Sequence, residues 1–288
     1  MTASPIVEGL FDPTTHTITY IVADPATGRA AVIDPVLDYD AASGRTGVGS
    51  LEAVLARVAE RGWTLDRVLE THAHADHLTG AHEIKVRTGV PIGIGDRIGG
   101  VQKTFGDLFE ATDVRPDGAA FDALYGDGDR FDLGELTVQV MHTPGHTPAC
   151  VSYVIGDAVF VGDTLFMPDY GTARCDFPGG DARTLYRSIQ RILNLPGETR
   201  VFVGHDYLPE GRGDYRWETT VADEKAHNIH VGGGRSEDDF TTMREARDAT
   251  LKVPALLLPA LQVNIRAGEL PPAETSGQRF LKIPLNGL

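Results

Sequence analysis

The sequence predicts an α/β protein in which two halves, each made of a sheet and a helix, pack face to face. Two series of elements lead to this prediction. Each series has paired strand patterns, then an amphipathic helix, then one more strand and a loop that contains metal-binding residue types. With 288 residues, of which 41% are hydrophobic and 23% are charged, the chain can bury a large core.

The first series opens with β-branched segments at residues 15–22 and 29–34, which a turn with proline and glycine joins into a predicted hairpin. Residues 50–61 carry apolar side chains at i, i+3, i+4 and i+7, the spacing of an amphipathic helix, and Ser50 is a candidate cap. A strand at residues 65–70 follows, and a histidine-rich segment comes directly after it.

The second series has the same kinds of element in the same order. Its expected elements are strands at 134–141, 150–155 and 158–161, a helix at 182–193 and a strand at 199–203. Two sheets, each covered by helices, therefore provide the simplest architecture for the chain.

The C-terminal part has one helix-like segment at residues 242–252, followed by segments interrupted by proline. Since no linker separates it from the rest, we expect one domain over residues 1–288, with an extension from about 239 to 288 packed on it.

Charge and terminal sequence exclude several classes of protein. A formal net charge of −15 argues against binding to nucleic acid or anionic lipid, because both rely on clustered lysine and arginine. The N-terminus has no basic segment before an apolar stretch, and no run of about 18 apolar residues occurs. We therefore expect a cytoplasmic protein that does not cross a membrane.

Two cysteines, Cys150 and Cys175, are too few for a disulfide framework and are interpreted as buried structural residues.

The segment at residues 71–77 is the strongest local signal. Its sequence, THAHADH, places His72, His74, Asp76 and His77 within six residues, directly after a predicted strand. Imidazole and carboxylate groups suit divalent metals such as zinc and iron, whereas a purely structural role for all four is improbable.

Three later residues follow the same pattern, because each lies in a turn at the end of a predicted strand. His146 lies in TPGHT, Asp163 in GDT and His205 in GHD. A strand end is a common position for functional side chains on a rigid scaffold. Each motif alone is weak evidence, but their order along the chain makes a metal centre the best interpretation.

The series HxHxDH, TPGHT, GDT and GHD over residues of about 15 to 210 resembles the metallo-β-lactamase superfamily. This resemblance implies an αβ/βα sandwich, with two mixed sheets flanked by helices and a metal in the cleft between the sheet edges. Glyoxalase II, a thioester hydrolase with two metals, matches at every ligand position. Its pattern implies a first metal on His72, His74, His146 and Asp163, and a second on Asp76, His77, His205 and the shared Asp163.

Two further segments resemble the persulfide dioxygenase branch, which includes the ethylmalonic-encephalopathy protein and its bacterial relatives. They are RCDF, which begins at Arg174, and QVNIRAG at residues 262–268. The branch implies one non-haem Fe(II) per chain on His72, His146 and Asp163, with glutathione persulfide and O₂ as substrates. Two histidines and one carboxylate leave coordination positions open for both substrates.

In that interpretation the remaining four ligand types, His74, Asp76, His77 and His205, orient the metal ligands or hold water. Arg174 is the first candidate to bind a carboxylate of glutathione. A structural ion pair of Arg174 with Asp176 or Asp169 is equally compatible with the sequence. Tyr207 is a further candidate at the mouth of the cleft.

Two alternatives remain open at this point. One is the hydrolase with two zinc or iron ions, which the RCDF segment and the C-terminal sequence disfavour. The other is a non-catalytic sulfur relay that uses Cys150 or Cys175, which the complete ligand set disfavours. The resemblance also makes a homo-oligomer reasonable.

Overall fold

The computed structural model describes residues 4–287. Within that range the chain forms fifteen strands and seven helices. The strands are β1 (Ile6–Asp12), β2 (Thr17–Ala23), β3 (Arg29–Ile33), β4 (Val36–Asp40), β5 (Arg45–Gly47), β6 (Thr64–Leu69), β7 (Leu78–Thr79), β8 (Ile92–Gly95), β9 (Ala123–Tyr125), β10 (Arg130–Leu133), β11 (Leu136–His142), β12 (Val151–Ile155), β13 (Ala158–Phe160), β14 (Arg200–Phe202) and β15 (Glu218–Thr220). The helices are α1 (Gly49–Glu60), α2 (Ala81–Thr88), α3 (Ile98–Phe109), α4 (Ala182–Leu193), α5 (Val221–His227), α6 (Glu237–Asp248) and α7 (Leu257–Asn264).

Two six-stranded sheets form the centre of the molecule. The first has the order β1-β2-β3-β6-β8-β9 and the second the order β10-β11-β12-β13-β14-β15, while β5, β4 and β7 form a small third sheet. Both large sheets are mixed, since β3, β6, β8 and β9 run parallel in the first, as do β13 and β14 in the second. The predicted fold class is therefore confirmed.

Three buried clusters divide the molecule into four layers. The middle cluster lies between the two sheets and includes Ile18, Leu69, Tyr153 and Phe160, all almost fully buried. One outer cluster covers the first sheet with α1, α2, α3 and α7, and the other covers the second sheet with α4, α5 and α6. Each helix buries one apolar face, as expected for a layered α/β protein.

The predicted amphipathic helices are present. The helix expected at 182–193 is α4, and it begins after Asp181, whose carboxylate accepts a hydrogen bond from the Thr184 amide at 2.7 Å. The helix expected at 50–61 is α1, but the prediction that Ser50 caps it is wrong. Ser50 lies inside α1, and the carboxylate of Asp38 on β4 accepts the hydrogen bond of the Gly49 amide at 2.8 Å.

The C-terminal extension has one helix more than we predicted. The helix expected at 242–252 begins earlier, as α6, because the hydroxyl of Ser236 accepts a hydrogen bond from the Asp239 amide. The segment after it contains α7, in which Pro259 is the third residue. A proline is tolerated there, because an amide in the first turn has no partner within the helix. Among residues 4–287, no helix is both long enough and apolar enough to cross a membrane.

Candidate metal centre

Strand direction brings three candidate ligands of the second sheet to one edge. His146 follows β11, Asp163 follows β13 and His205 follows β14. Strands β11 and β13 both pair antiparallel with β12, and β14 is parallel to β13, so all three point the same way. Their carboxyl ends therefore converge, as the sequence predicts.

The first sheet supplies the remaining candidates through residues 71–77, which follow β6. Backbone hydrogen bonds hold the two sheets together at this point, from the Val151 amide to the Thr71 carbonyl at 2.9 Å and from the Ile18 amide to the Gly204 carbonyl at 2.9 Å. The site is thus assembled at the joint between the sheets.

Two glycines allow the turns that present these ligands. Gly145 and Gly162 have φ values of +137° and +49°, which side chains with a Cβ rarely adopt. A Cβ at Gly145 would overlap the backbone of Leu185, and one at Gly162 would overlap the side chain of Thr71. The glycines of TPGHT and GDT are therefore required by both conformation and space.

Hydrogen bonds fix the tautomer of His72. The Thr71 hydroxyl donates its only proton to Asp34 Oδ2 at 2.7 Å, and it lies 3.0 Å from His72 Nδ1. His72 Nδ1 must therefore be the donor in that contact, which leaves the lone pair on Nε2. His72 Nε2 is buried and has no hydrogen-bond partner among the described residues.

His146 is oriented in the same way. Its Nδ1 donates to the Arg174 carbonyl at 2.8 Å, so its Nε2 carries the lone pair and lies 3.8 Å from Asp163 Oδ2. His72, His146 and Asp163 each place one donor atom within 4.8 Å of the others. The geometry therefore forms the group of two histidines and one carboxylate that the resemblance implies.

A second group lies beside the first. His205 Nδ1 faces the His16 carbonyl at 3.3 Å, and His205 Nε2 lies 3.2 Å from Asp163 Oδ1 and 3.3 Å from Asp76 Oδ2. The donor atoms that lie within 4.8 Å of one another belong to His74, Asp76 and His205. Among the described residues, His77 belongs to neither group, whereas the two-metal pattern assigns His77 to the second metal. Its Nδ1 faces Thr17 and its Nε2 is buried without a partner.

His74 is held by two buried carboxylates that the sequence analysis did not identify. Its Nε2 lies 3.1 Å from Asp34 Oδ1 and 3.3 Å from Glu70 Oε2. The Thr79 hydroxyl donates to the other oxygen of Glu70. Asp34 follows β3, which is parallel to β6, so its position at the same sheet edge was a usable signal.

The donor set fits a divalent metal. Buried atoms without a hydrogen-bond partner in residues 4–287 include His72 Nε2, His74 Nδ1, Asp76 Oδ2, His77 Nε2, Asp163 Oδ1 and His205 Nε2. A buried polar atom without a partner costs about 1–3 kcal/mol, so a ligand shared by several of these atoms would stabilise the folded site. A cation that accepts imidazole and carboxylate donors is such a ligand.

The pKa values of His72 and His205 also fit a site that binds a divalent cation. Burial, together with the neighbouring His74 and His146, holds the pKa of His72 well below its usual value, which keeps the ring neutral and able to bind metal. Burial would also lower the pKa of His205, but the carboxylates of Asp163 and Asp76 raise it to about 9. In the absence of metal, a proton on His205 offsets part of the negative charge that a divalent cation would neutralise.

A cavity of about 380 Å³ opens onto this site. This volume is within the range of about 300–1,000 Å³ that small-molecule sites occupy. Its wall contains Asp76, His146 and Asp163 together with the rings of Phe166, Tyr170 and Tyr207. The Tyr207 ring stacks on His205 with centroids 5.5 Å apart. Tyr207 thus lies in the cavity, as the sequence predicts.

Arg174 lies between this cavity and a more apolar one of about 390 Å³, and it lines both. Its guanidinium donates to both oxygens of Asp176, at 2.5 and 2.6 Å, and to the Lys252 carbonyl at 2.7 Å. Of the two roles that the sequence leaves open for Arg174, the ion pair with Asp176 is present. Contact of Arg174 with a substrate stays a prediction.

The cysteines have no features of a sulfur carrier. Both are free and buried. Burial raises the pKa of Cys150 to about 12, and it raises that of Cys175 further. Because the thiolate is the nucleophile in sulfur transfer, these thiols are poorly suited to a relay.

Asn264 also positions the histidine-rich loop. The sequence analysis missed this role, although Asn264 lies in the QVNIRAG segment. Its side-chain amide donates to the carbonyls of His74 and His77, each at 2.8 Å, and its Oδ1 accepts from the Thr79 amide at 2.8 Å. The C-terminal helix α7 therefore holds the second half of the histidine-rich loop.

Comparison with protein families gives a match over residues 12–205 to the metallo-beta-lactamase superfamily. A probable metallo-hydrolase of Burkholderia pseudomallei is 54% identical to the chain, over 98% of this chain and 99% of that protein. Glyoxylase B2 of Dictyostelium discoideum is 49% identical, over 93% and 92% of the two chains. The beta-lactamase hydrolase-like protein of Xylella fastidiosa is 50% identical, and the chain spans only 66% of its length.

Proteins of the persulfide dioxygenase type are similar at lower identity. The mitochondrial persulfide dioxygenase ETHE1 of Mus musculus is 33% identical, over 70% of this chain and 68% of that protein. Among solved structures, ETHE1 from Myxococcus xanthus has a TM-score of 0.73 and 34% identity, and the match covers 92% of this chain and 100% of that one. A di-iron-bound protein, TTHA1623, has a TM-score of 0.55 at 26% identity, over 78% and 98% of the two chains.

Proposed function

The chain belongs to the metallo-beta-lactamase superfamily, and we propose that it is a persulfide dioxygenase with one Fe(II) held by His72, His146 and Asp163. The observation that carries this proposal is the geometry of that group, in which three donors converge beside a cavity whose wall contains His146 and Asp163. A facial arrangement of two histidines and one carboxylate leaves up to three coordination positions open.

The reaction converts glutathione persulfide, O₂ and water into glutathione, sulfite and two protons. His72, His146 and Asp163 would hold the iron, which would supply open coordination positions and the electron-transfer chemistry that the reaction needs. The sulfur–sulfur bond breaks, the outer sulfur leaves as sulfite, and the inner sulfur leaves as the thiol. One carboxylate leaves the Fe(II) site with a charge of +1, which a persulfide anion neutralises.

The chain's own groups prepare this site. Thr71 and the Arg174 carbonyl fix the rings of His72 and His146 with their Nε2 atoms toward the metal position. Phe166 and Tyr170 give the cavity an aromatic wall. In this proposal Arg174 and Tyr207 contact the glutathione part of the substrate.

The similarity to an ETHE1 structure extends over nearly the whole chain, as does that to the probable metallo-hydrolase of Burkholderia pseudomallei. The match to the ETHE1 structure from Myxococcus xanthus covers 92% of the chain and therefore reaches beyond the superfamily match at residues 12–205 into the C-terminal extension. That extension contains Asn264, which orders the histidine-rich loop. If this chain and the Myxococcus xanthus protein order the histidine-rich loop in the same way, we expect both to have this extension.

A second candidate function is thioester hydrolysis with two metals. It is favoured by the second donor group, His74, Asp76 and His205, and two metals would activate a water and polarise a carbonyl. The Burkholderia relative is named a probable metallo-hydrolase, and the Dictyostelium relative is named glyoxylase B2. The position of His77 outside the second group argues for the single-metal alternative.

Metal content and O₂ uptake, measured on one anaerobically purified sample, test the proposal. We expect about one iron per chain, and O₂ consumption after addition of glutathione persulfide, with sulfite as product. His146→Ala should lose both the iron and the O₂ uptake. The surface variant His227→Ala should keep both, because His227 is an exposed residue of α5.

Two metals per chain, no O₂ uptake and hydrolysis of S-lactoylglutathione would contradict the dioxygenase and support the hydrolase. Iron identity is tested in the same preparation, because zinc in place of iron would bind the same donors but could not carry the electron transfer.

A further inference from the structure

The metal-facing cavity has three arginines in its wall, Arg174, Arg244 and Arg247. Two of them have their charge matched by a neighbouring carboxylate. Arg174 is paired with Asp176. Arg244 is fully buried and donates to Asp248 at 2.6 and 3.0 Å.

Arg247 differs from the other two. It is exposed, and within residues 4–287 its guanidinium makes neither an ion pair nor a side-chain hydrogen bond. The carboxylates in the cavity wall, Asp76 and Asp163, belong to the two groups of metal ligands. Arg247 is therefore the cavity cation whose charge no described protein group matches.

The fold holds the backbone of Arg247 firmly. It lies in the last turn of α6, three residues after Arg244, so both side chains lie on the same side of the helix. Arg244 donates to the Thr172 carbonyl at 3.1 Å, and Asp248 accepts from the Cys175 amide at 2.8 Å. These contacts fasten the end of α6 to the loop that lines the cavity.

The charge of the whole protein makes this single cation important. With a net charge of −15, the chain repels anions at long range, so an anionic substrate requires a local cation. A guanidinium is suited to this task, because its planar donors match the two oxygens of a carboxylate.

We propose that Arg247 binds a carboxylate of the substrate, and that the enzyme therefore selects thiol-derived substrates whose carbon skeleton carries one. This proposal rests on the proposed function for the identity of the reaction, and it deepens that function by assigning the residue that distinguishes glutathione persulfide from a persulfide without a carboxylate. It adds a positive group on α6 that the sequence analysis did not identify.

Steady-state kinetics of Arg247→Met test the proposal. Removing a charge-assisted hydrogen bond should raise the KM for glutathione persulfide about tenfold or more and leave kcat nearly unchanged. The KM for the persulfide of 2-mercaptoethanol, which has no carboxylate, should stay as in the wild type. Arg247→Lys should give an intermediate KM, since it keeps the charge and loses the planar fork.

Arg130→Met is the matched control, because it removes one positive charge from β10, outside the cavity wall. Its kinetics should equal those of the wild type. An unchanged KM for glutathione persulfide in Arg247→Met, with an active wild type, would overturn the role of Arg247 and leave the dioxygenase proposal intact.

Binding of S-methylglutathione, measured by calorimetry, separates the two proposals. If the wild type consumes no O₂, the proposed function fails, but the role of Arg247 can still be judged from binding. A dissociation constant at least tenfold weaker in Arg247→Met supports carboxylate recognition. Equal constants, or no binding by the wild type, would refute it.

Discussion

Three side chains away from the metal position determine how the ligands are presented. Thr71 fixes the tautomer of His72, Asp34 accepts the Thr71 hydroxyl, and Asn264 ties the loop carbonyls of His74 and His77 to α7. Each acts through hydrogen bonds to buried groups, for which no water can substitute at low cost. Their removal should therefore affect both stability and metal affinity.

Asn264→Ala should lower the free energy of unfolding by about 2–4 kcal/mol, because it leaves the Thr79 amide and two loop carbonyls buried without partners. Urea denaturation of the metal-free protein measures this change without a contribution from the metal. Asn194→Ala, at the exposed end of α4, is the control and should differ little from the wild type. Equal midpoints for all three proteins would show that Asn264 does not organise the loop.

At the scale of single elements, local signals predicted the helices with a clear apolar face. Helix α4 has the expected bounds, since its cap and its apolar spacing agree. Helix α6 begins earlier than predicted because its first turn is acidic, Glu237 to Asp239, and the apolar pattern starts only afterwards. Helix α7 was missed because Pro259 resembled a helix breaker, although the first turn tolerates it.

Helix α5 shows how an element can support the cavity without entering it. Its Glu224 is buried and accepts a hydrogen bond at 2.7 Å from Asn228, which also donates to the Gly171 carbonyl in the cavity loop. Burial raises the pKa of Glu224 to about 8, despite that hydrogen bond. The folded protein therefore keeps a proton on Glu224 that the unfolded chain releases near its ordinary pKa of about 4.3.

The sign of the pH dependence follows from this difference. Between about pH 5 and pH 8 the unfolded state binds fewer protons at this position, so stability falls as pH rises through that window and levels off above the folded pKa. Glu224→Gln keeps the hydrogen bond to Asn228 and cannot titrate. As pH rises from 5 to 8, the free energy of unfolding should fall less for Glu224→Gln than for the wild type. Urea denaturation at each pH measures this difference.

The exposed Glu245→Gln on α6 is the control and should retain the wild-type dependence on pH. If Glu224→Gln follows the wild-type curve across the window, Glu224 does not keep its proton in the folded protein.

At the scale of the whole molecule, the sequence predicted the ligand types because each directly follows a strand, where local patterns and strand ends coincide. It did not predict the contacts of Asn264 or the position of Arg247 in the cavity wall, because each depends on segments distant in the chain. Asn264 is 190 residues from His74. The packing of α6 and α7 onto the sandwich brings these two residues to the site, and no local pattern contains that information.

The same packing makes the metal a link between the two sheets. His72 comes from the first sheet, whereas His146 and Asp163 come from the second. A ligand that binds the folded state alone stabilises it according to its concentration and affinity, by about 2.7 kcal/mol at one hundred times its dissociation constant. For a chain of this length, each kcal/mol corresponds to a shift of roughly 2–4 °C in Tm.

Removal of the metal with a chelator should therefore lower Tm by roughly 5–10 °C, as followed by circular dichroism. Adding back Fe(II) under anaerobic conditions should restore the original Tm. His146→Ala should show little difference between the chelated and metal-supplied samples, because it lacks one of the three donors, while His227→Ala should respond as the wild type does. A Tm that is the same with and without chelator in a protein shown to contain metal would mean that the metal on His72, His146 and Asp163 does not link the sheets.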